Sequence, residues 1–418
     1  MPAVHTAAQR PFLAVIALAL AAVGLAACGK AAPEQLGGGP TRKLAPVAAE
    51  GAVSVATRNT TRLGGADVAS DAAAVARATY PGLTVATRPV AVVLVDEHDW
   101  LGALAASVLS SSPTSAPILY SEGEALPTVS RETLEAMRPL GAPTLGGAQV
   151  IRIGATTAPA PSGYLTDTLP VSAPATTAVA VQRLLATLDG GSAPHQVIVL
   201  ATDTPPALAM PAAGLAAESG APILFVTPAR VPAATAAALA GLHRPSIYVI
   251  DAAALDRRTI GALRHFGPVT KIGGAHTTAT GAEAGGEAVE SALEVARYTD
   301  GTFGWGVKEP GHGLVFANAA RPLDAPAAAL LSATGDYGPL LLLASATQVP
   351  PAVTGYLSDI QPAYSAPQFP PVRGVYNHGW LIGDEQAISA VTQAEIDSIL
   401  EIAPRKQTPE EASVSQVE

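Results

Sequence analysis

The sequence predicts an α/β protein built as three tandem, similar lobes, each a small parallel sheet with flanking helices. Three observations carry the prediction. An apolar strand introduced by a small residue and proline, and closed by a second proline, occurs three times. It reads Ala116-Pro117-Ile118-Leu119-Tyr120 running to Pro127, Ala221-Pro222-Ile223-Leu224-Phe225-Val226 running to Pro232, and Gly338-Pro339-Leu340-Leu341-Leu342-Leu343 running to Pro350. The introducing prolines stand 105 residues apart (222−117) and then 117 apart (339−222), too long for a solenoid repeat and suited to a small domain. Between these landmarks strand-like and helix-like runs alternate, which implies βαβ units and parallel pairing. Continuous apolar runs such as Leu340 to Leu343 fit strands covered on both faces.

Composition agrees. A chain of 418 residues holds three domains comfortably. With 49% apolar and 14% charged residues, buried cores are favoured over disorder. Aromatic residues are only 4%, so the cores must be built from Ala, Val, Leu and Ile. A net charge of −10 argues against nucleic acid as a partner, because that binding needs Lys and Arg to displace counterions from phosphates.

Taken in order, the chain opens with Arg10 and an uncharged apolar run from Phe12 to Ala27, ending Leu25-Ala26-Ala27-Cys28-Gly29. The run is short for a spanning helix and its last residues are small, as in a cleaved signal. It resembles a bacterial lipoprotein signal with its lipobox, in which the cysteine is diacylated and becomes the mature N-terminus. Cys28 is the sole cysteine, so a disulfide or a cysteine zinc site within one chain is excluded. Residues 1–27 are therefore expected to be a signal peptide, and 28–54 the lipidated cysteine with a flexible tether. The expected location is the extracytoplasmic face of the cell membrane.

The first lobe is expected over 55–151. It opens at Arg62-Leu63-Gly64-Gly65, continues through a helix with Val68, Ala72 and Val75 on one face, and reaches the strand Val90 to Val95. Helices over Leu101 to Leu109 and Arg131 to Met137 bracket the Pro117 strand. Leu145-Gly146-Gly147 reads as the start of an abbreviated last unit. The second lobe, 152–270, is expected to open at Arg152-Ile153-Gly154, followed by a Pro/Thr-rich loop. A helix with Val181, Leu184, Leu185 and Leu188 precedes strand Val197 to Leu200, and a helix from Ala207 to Ala217 leads to Pro222. Strand Ser246 to Ile250 and a helix around Leu255 to Leu263 complete it. The third lobe, 271–403, opens at Lys271-Ile272-Gly273-Gly274. It has helices Ala288 to Arg297 and Ala325 to Ser332, strands Leu314 to Ala317 and Trp380 to Ile382, and a last helix from Gln393 to Ile402. Residues 404–418 read as a disordered tail.

These motifs resemble the cell wall-binding repeat 2 family, found as tandem triplets in bacterial surface proteins. The family's opening of a basic residue, an apolar residue and two glycines is matched by Arg62-Leu63-Gly64-Gly65-Ala66-Asp67, and its Pro-Asp-Ala helix start is echoed by Pro322-Leu323-Asp324-Ala325. The Ala-Pro-Ile-Leu strand is the best-kept element, and the resemblance covers roughly residues 55 to 402. It implies three lobes in a pseudo-threefold arrangement and noncovalent, non-enzymatic binding of an anionic cell-wall polymer.

Arg62, Arg152 and Lys271, read as equivalent openings of the three repeats, are the candidate polymer-binding cations, since Arg holds anions through its planar fork. The competing reading pairs each with a carboxylate of its own lobe. Asp96, Glu97, His98 and Asp99 read as a solvated turn rather than a metal site, and Asp324 as a helix N-cap. No cofactor or metal is expected, because no His-Glu-x-x-His spacing, P-loop lysine or Gly-x-Ser-x-Gly elbow occurs. The expected protein is a monomeric, lipid-anchored polymer binder. The alternative is the substrate-binding lipoprotein of a transporter, which would show two lobes and a deep cleft.

Overall fold

The computed structural model describes residues 53–170, 173–274, 285–333, 337–364 and 375–404. Cys28, the apolar run before it, residues 29–52 and the tail from residue 405 lie outside the described residues. The protein is α/β, with several small parallel sheets flanked by helices.

Strands β1 (Val53–Ala56) and β2 (Thr60–Gly64) form an antiparallel pair. Helix α1 (Val68–Thr79) follows, its first turn capped by the Asp67 side chain, which accepts the Ser70 N–H. Next come β3 (Val92–Asp96), α2 (Trp100–Ala106), β4 (Ile118–Ser121), α3 (Thr128–Met137), β5 (Val150–Ile153) and β6 (Thr166–Leu169). β3 to β6 make the first sheet, order β4-β3-β5-β6, with every pair parallel. β6 lies inside the stretch read from sequence as a loop. Its residues Thr166-Asp167-Thr168-Leu169 carry no apolar run, and pairing with β5 alone defines it.

The second sheet repeats the plan. After α4 (Pro174–Leu188) come β7 (Gln196–Ala201), α5 (Pro206–Ala209), α6 (Pro211–Ser219), β8 (Ile223–Val226), α7 (Ala233–Gly241), β9 (Ser246–Ile250), α8 (Arg257–Leu263) and β10 (Val269–Ile272). The order is β10-β9-β7-β8, again parallel. The single helix expected over 207–217 divides at Met210 because Pro211 has no N–H to continue the ladder.

Then follow α9 (Gly286–Arg297), β11 (Gly313–Asn318), α10 (Asp324–Ala328), β12 (Tyr337–Leu343), α11 (Pro351–Asp359), β13 (Ala363–Tyr364), β14 (His378–Ile382), α12 (Ala390–Leu400) and β15 (Ala403–Pro404). The third sheet has the order β1-β2-β14-β11-β12. Counted from the edge strand β12, its fourth strand is β2, from the start of the chain, paired in parallel with β14. The opening strand of the first repeat completes the sheet of the last, joining the two ends of the body. β13 and β15 form a separate two-stranded parallel pair.

The repeated proline strands become β4, β8 and β12, each at the edge of its sheet, where proline's missing donor is tolerated. Each leads into a tight turn closed by an isolated antiparallel bridge: Glu122 with Ala125, Thr227 with Arg230, Ser345 with Gln348. The closing prolines Pro127, Pro232 and Pro350 are the N-cap residues of α3, α7 and α11. Three residues on, Ser130 and Thr235 donate to the carbonyls of Tyr120 and Phe225 (2.8 and 2.6 Å); Val353 stands at the corresponding place in α11.

The core is shared. The turn Ser107–Ser110 after α2, helix α6, and the turn Ala329–Ser332 after α10 contact one another. Small side chains permit this approach; a methyl added at Gly214 of α6 would come within 2.7 Å of Ser332 Oγ. Among the described residues, no helix is long and apolar enough to cross a membrane.

Candidate functional site

Open α/β sheets offer ligands the carboxyl edge, where their strands end. At that edge of the third sheet, Arg321 follows β11 and sits between two fully buried carboxylates. Its Nη2 donates to Asp71 Oδ2 of α1, and its Nε donates to Asp324 Oδ2 (2.9 Å). Asp71 Oδ1 also accepts the Gly65 N–H (2.8 Å). Burial raises both carboxyls above the ordinary range. For Asp324 the charge of Asp71 adds to burial and outweighs Arg321. Asp324 Oδ1 is buried without a donor. A proton on Asp324 resolves that vacancy, because the protonated carboxyl becomes a donor to Asp71. Burial alone would lower Arg321, but Asp324 and Asp71 raise it above its usual value. This cluster ties α1 to the turn before α10. Asp324 is therefore not an N-cap: α10 starts at Asp324 itself, and its carboxylate serves Arg321.

The three candidate cations fall on three different sheets, and no hydrogen bond or ion pair joins any two of them among the described residues. Arg62, on β2, is buried (5% exposed). It donates to the carbonyls of Gly383 (3.0 Å), Asp384 (2.7 Å) and Ile388 (2.6 Å) and to Gln393 Oε1 (3.1 Å). Arg152, half-buried on β5, donates to the Thr156 and Ala158 carbonyls, while its Nε is buried without a partner. Lys271, on β10, is exposed.

Nor are the three positions equivalent. Register pairs Arg62 with Leu381, Lys271 with Val249, and Thr168 with Arg152. The counterpart of Arg62 and Lys271 is Thr168, and Arg152 occupies the neighbouring strand. The sequence Arg152-Ile153-Gly154 imitates the opening motif one strand too early.

Lys271 borders a cavity of about 440 Å³ at the carboxyl edge of the second sheet, lined also by Ala252, Ala253, Gly273, Gly274 and Glu294. Gly273 and Gly274 both take left-handed backbone (φ 71° and 79°), which only glycine adopts readily. An ammonium and a carboxylate in one lining make it a mixed site rather than a strong anion trap. At the first sheet, Asp96 Oδ1 meets His98 Nδ1 (2.9 Å), which raises the His98 pKa through that hydrogen bond. Asp99 caps α2 by accepting the Gly102 N–H (2.9 Å). Both carboxylates serve the turn. Among the described residues, no group of three His, Cys, Asp or Glu side chains is placed to hold a metal.

Three small, mainly parallel sheets among the described residues, with the first repeat's opening strand completing the last sheet, define the fold class. No family model and no curated protein matches the sequence. Among solved structures, the chain is similar to Cwp8 from Clostridium difficile, with a TM-score of 0.58, 14% identity, and coverage of 82% of this chain and 52% of that one. It is also similar to Cwp6 from Clostridium difficile, with a TM-score of 0.56, 18% identity, and coverage of 84% and 51%. The chain spans about half the length of each, and the likeness is one of fold.

Proposed function

We propose that this chain is a lipid-anchored bacterial surface protein, held at Cys28, whose three-sheet body binds an anionic cell-envelope polymer without catalysis. The observation that carries the reading is the shared fold with Cwp8 and Cwp6, cell wall proteins of Clostridium difficile, over more than four-fifths of the chain. The thrice-repeated strand, bridged turn, proline and helix supports kinship with cell wall-binding repeats. The mutual contact of three helical segments, one per sheet, supports a pseudo-threefold arrangement of three lobes in a monomer. Leu25-Ala26-Ala27-Cys28 supplies the anchor. Two acyl chains on that cysteine are enough for stable membrane retention, which leaves the folded body free to engage polymer beyond the membrane surface.

The test compares the native chain with Cys28→Ser in a bacterium whose wall carries an anionic polymer. The native chain should take up labelled palmitate and fractionate with the membrane. The variant should move to the wall fraction, from which salt elutes it. A variant found only in the medium overturns polymer binding; a native chain without label overturns the anchor.

A further inference from the structure

The amino-terminal edge of the first sheet carries an apolar surface open to solvent. Exposed apolar residues that stand singly are ordinary, but a cluster of them marks an interaction site. Among the described residues the exposed leucines are Leu83, Leu140 and Leu165, at 80%, 46% and 61%. They lie in the loops that lead into β3, β5 and β6. Val85, two residues beyond Leu83, is 66% exposed, and Pro81, Ala86 and Pro143 of the same loops are exposed as well.

The three strands are neighbours, so two strand spacings, about 10 Å, separate the outer loops at their bases. Hydrogen bonds join the loops directly. The Leu140 N–H donates to the Pro89 carbonyl (2.9 Å), and the Gly141 N–H to the Val90 carbonyl (2.8 Å). Gln149 Nε2 donates to the Pro139 carbonyl (2.8 Å), and its backbone N–H to the Leu165 carbonyl (2.7 Å). Gln149 Oε1 in turn accepts the Leu165 N–H (3.3 Å). Arg138 Nη2 donates to the Gly82 carbonyl, and Arg88 Nε to the Arg138 carbonyl. Loops bonded to one another in this way present one surface.

The charge of that surface says what covers it. Residues 80–91, 138–149 and 154–166 contain Arg88 and Arg138 and no Asp or Glu, in a chain whose 34 acids outnumber its 24 bases. Among the described residues neither arginine has a carboxylate partner, and Glu135 of α3, which approaches Tyr164, is engaged by Arg131 (3.5 Å). A second copy docked here about a twofold axis would bring like arginines together with no carboxylate to meet them. An anionic bilayer offers what the surface lacks: acyl chains for the leucines, and phosphates that suit the planar fork of arginine.

We infer that this edge rests on an anionic lipid bilayer, with Leu83, Val85, Leu140 and Leu165 at the boundary of headgroups and acyl chains and Arg88 and Arg138 on lipid phosphates. So few side chains hold weakly and reversibly. The contact therefore orients the body rather than retaining it, and leaves the other two sheets to engage polymer. The inference depends neither on polymer binding nor on lipidation of Cys28.

The test uses the full-length Cys28→Ser chain with one new cysteine, at Leu83→Cys, Leu165→Cys or Val391→Cys, carrying a polarity-sensitive dye. It is titrated, without washing, with vesicles of equal parts phosphatidylglycerol and phosphatidylcholine, or of phosphatidylcholine alone. With phosphatidylglycerol, the dyes at 83 and 165 should shift to the blue and be quenched by lipid spin-labelled near the headgroup. The dye at 391, exposed on α12, should stay water-like. Affinity should be at least about fivefold higher with phosphatidylglycerol than without, the worth of one arginine near an anionic surface. Leu83→Ser with Leu165→Ser, read from a dye at Leu140→Cys, should weaken binding about tenfold on both lipids. Dyes at 83 and 165 that stay water-like at saturating lipid, or that respond only as the dye at 391 does, overturn the inference and leave polymer binding standing. So does equal affinity for the two lipids. A blue shift that appears without vesicles and grows with protein concentration gives the surface to a second copy and overturns the inference too.

Discussion

Replacing Asp324 with asparagine should stabilise this protein as pH rises, although Asp324 pairs with an arginine. Asp71 and Asp324 are both fully buried, with one arginine between them that is 22% exposed. One cation cannot neutralise two buried carboxylates, so the pair keeps a proton, and burial raises both carboxyls. A carboxyl whose folded pKa is raised contributes stability that is fully present below its unfolded value and is lost as pH rises through the folded one. Between the two values the native state holds the extra proton, and stability falls by about 1.4 kcal/mol per pH unit. Asparagine donates to Asp71 and accepts from Arg321 without titrating. Urea unfolding of the native chain and Asp324→Asn, from about pH 4.5 to about pH 7, should show the variant gaining on the native chain by up to about 3 kcal/mol. Arg321→Met, which strands the carboxyls, should cost about 3–5 kcal/mol at neutral pH. Parallel pH slopes for the native chain and Asp324→Asn, or an Arg321→Met chain as stable as the native one, would refute the shared proton.

Two further outcomes follow from the packing. Arg62→Met leaves three carbonyls and Gln393 without their donor and should cost about 3 kcal/mol or more in thermal or urea unfolding, whereas Lys271→Ala should stay within about 0.5 kcal/mol. Thr235→Val should cost about 1 kcal/mol by losing its bond to the Phe225 carbonyl, while Val353→Thr, which gives α11 the hydroxyl found in the other two copies, should cost less than that.

The repeating part of the fold was legible because it is local. Proline at the start of an edge strand and again before a helix follows from its missing N–H, and the apolar run between them needs only a buried strand. All three copies are where the sequence puts them. What depends on pairing was not legible. β6 has no apolar pattern of its own, whereas Arg152-Ile153-Gly154, one strand earlier, carries the residue types of the opening motif. Nothing local in Thr60–Gly64 says that it completes a sheet begun at residue 313. The Asp71–Arg321 contact spans 250 residues, beyond any motif. One signal for it was present: Asp71 lies on the face of α1 that carries Val68 and Val75, and a carboxylate on an apolar stripe needs a buried partner. Asp324 has the residue type of a cap, but the chemistry that uses it comes from Arg321 and α1.

The most direct test of the account is retention of the full-length chain on native cell walls, set against walls stripped of anionic polymer, across a salt series. Retention that needs the polymer and declines as salt screens the contact is the predicted result. Equal retention on stripped walls, or none on native walls at low salt, would contradict the claim that this three-sheet body is a polymer-binding module.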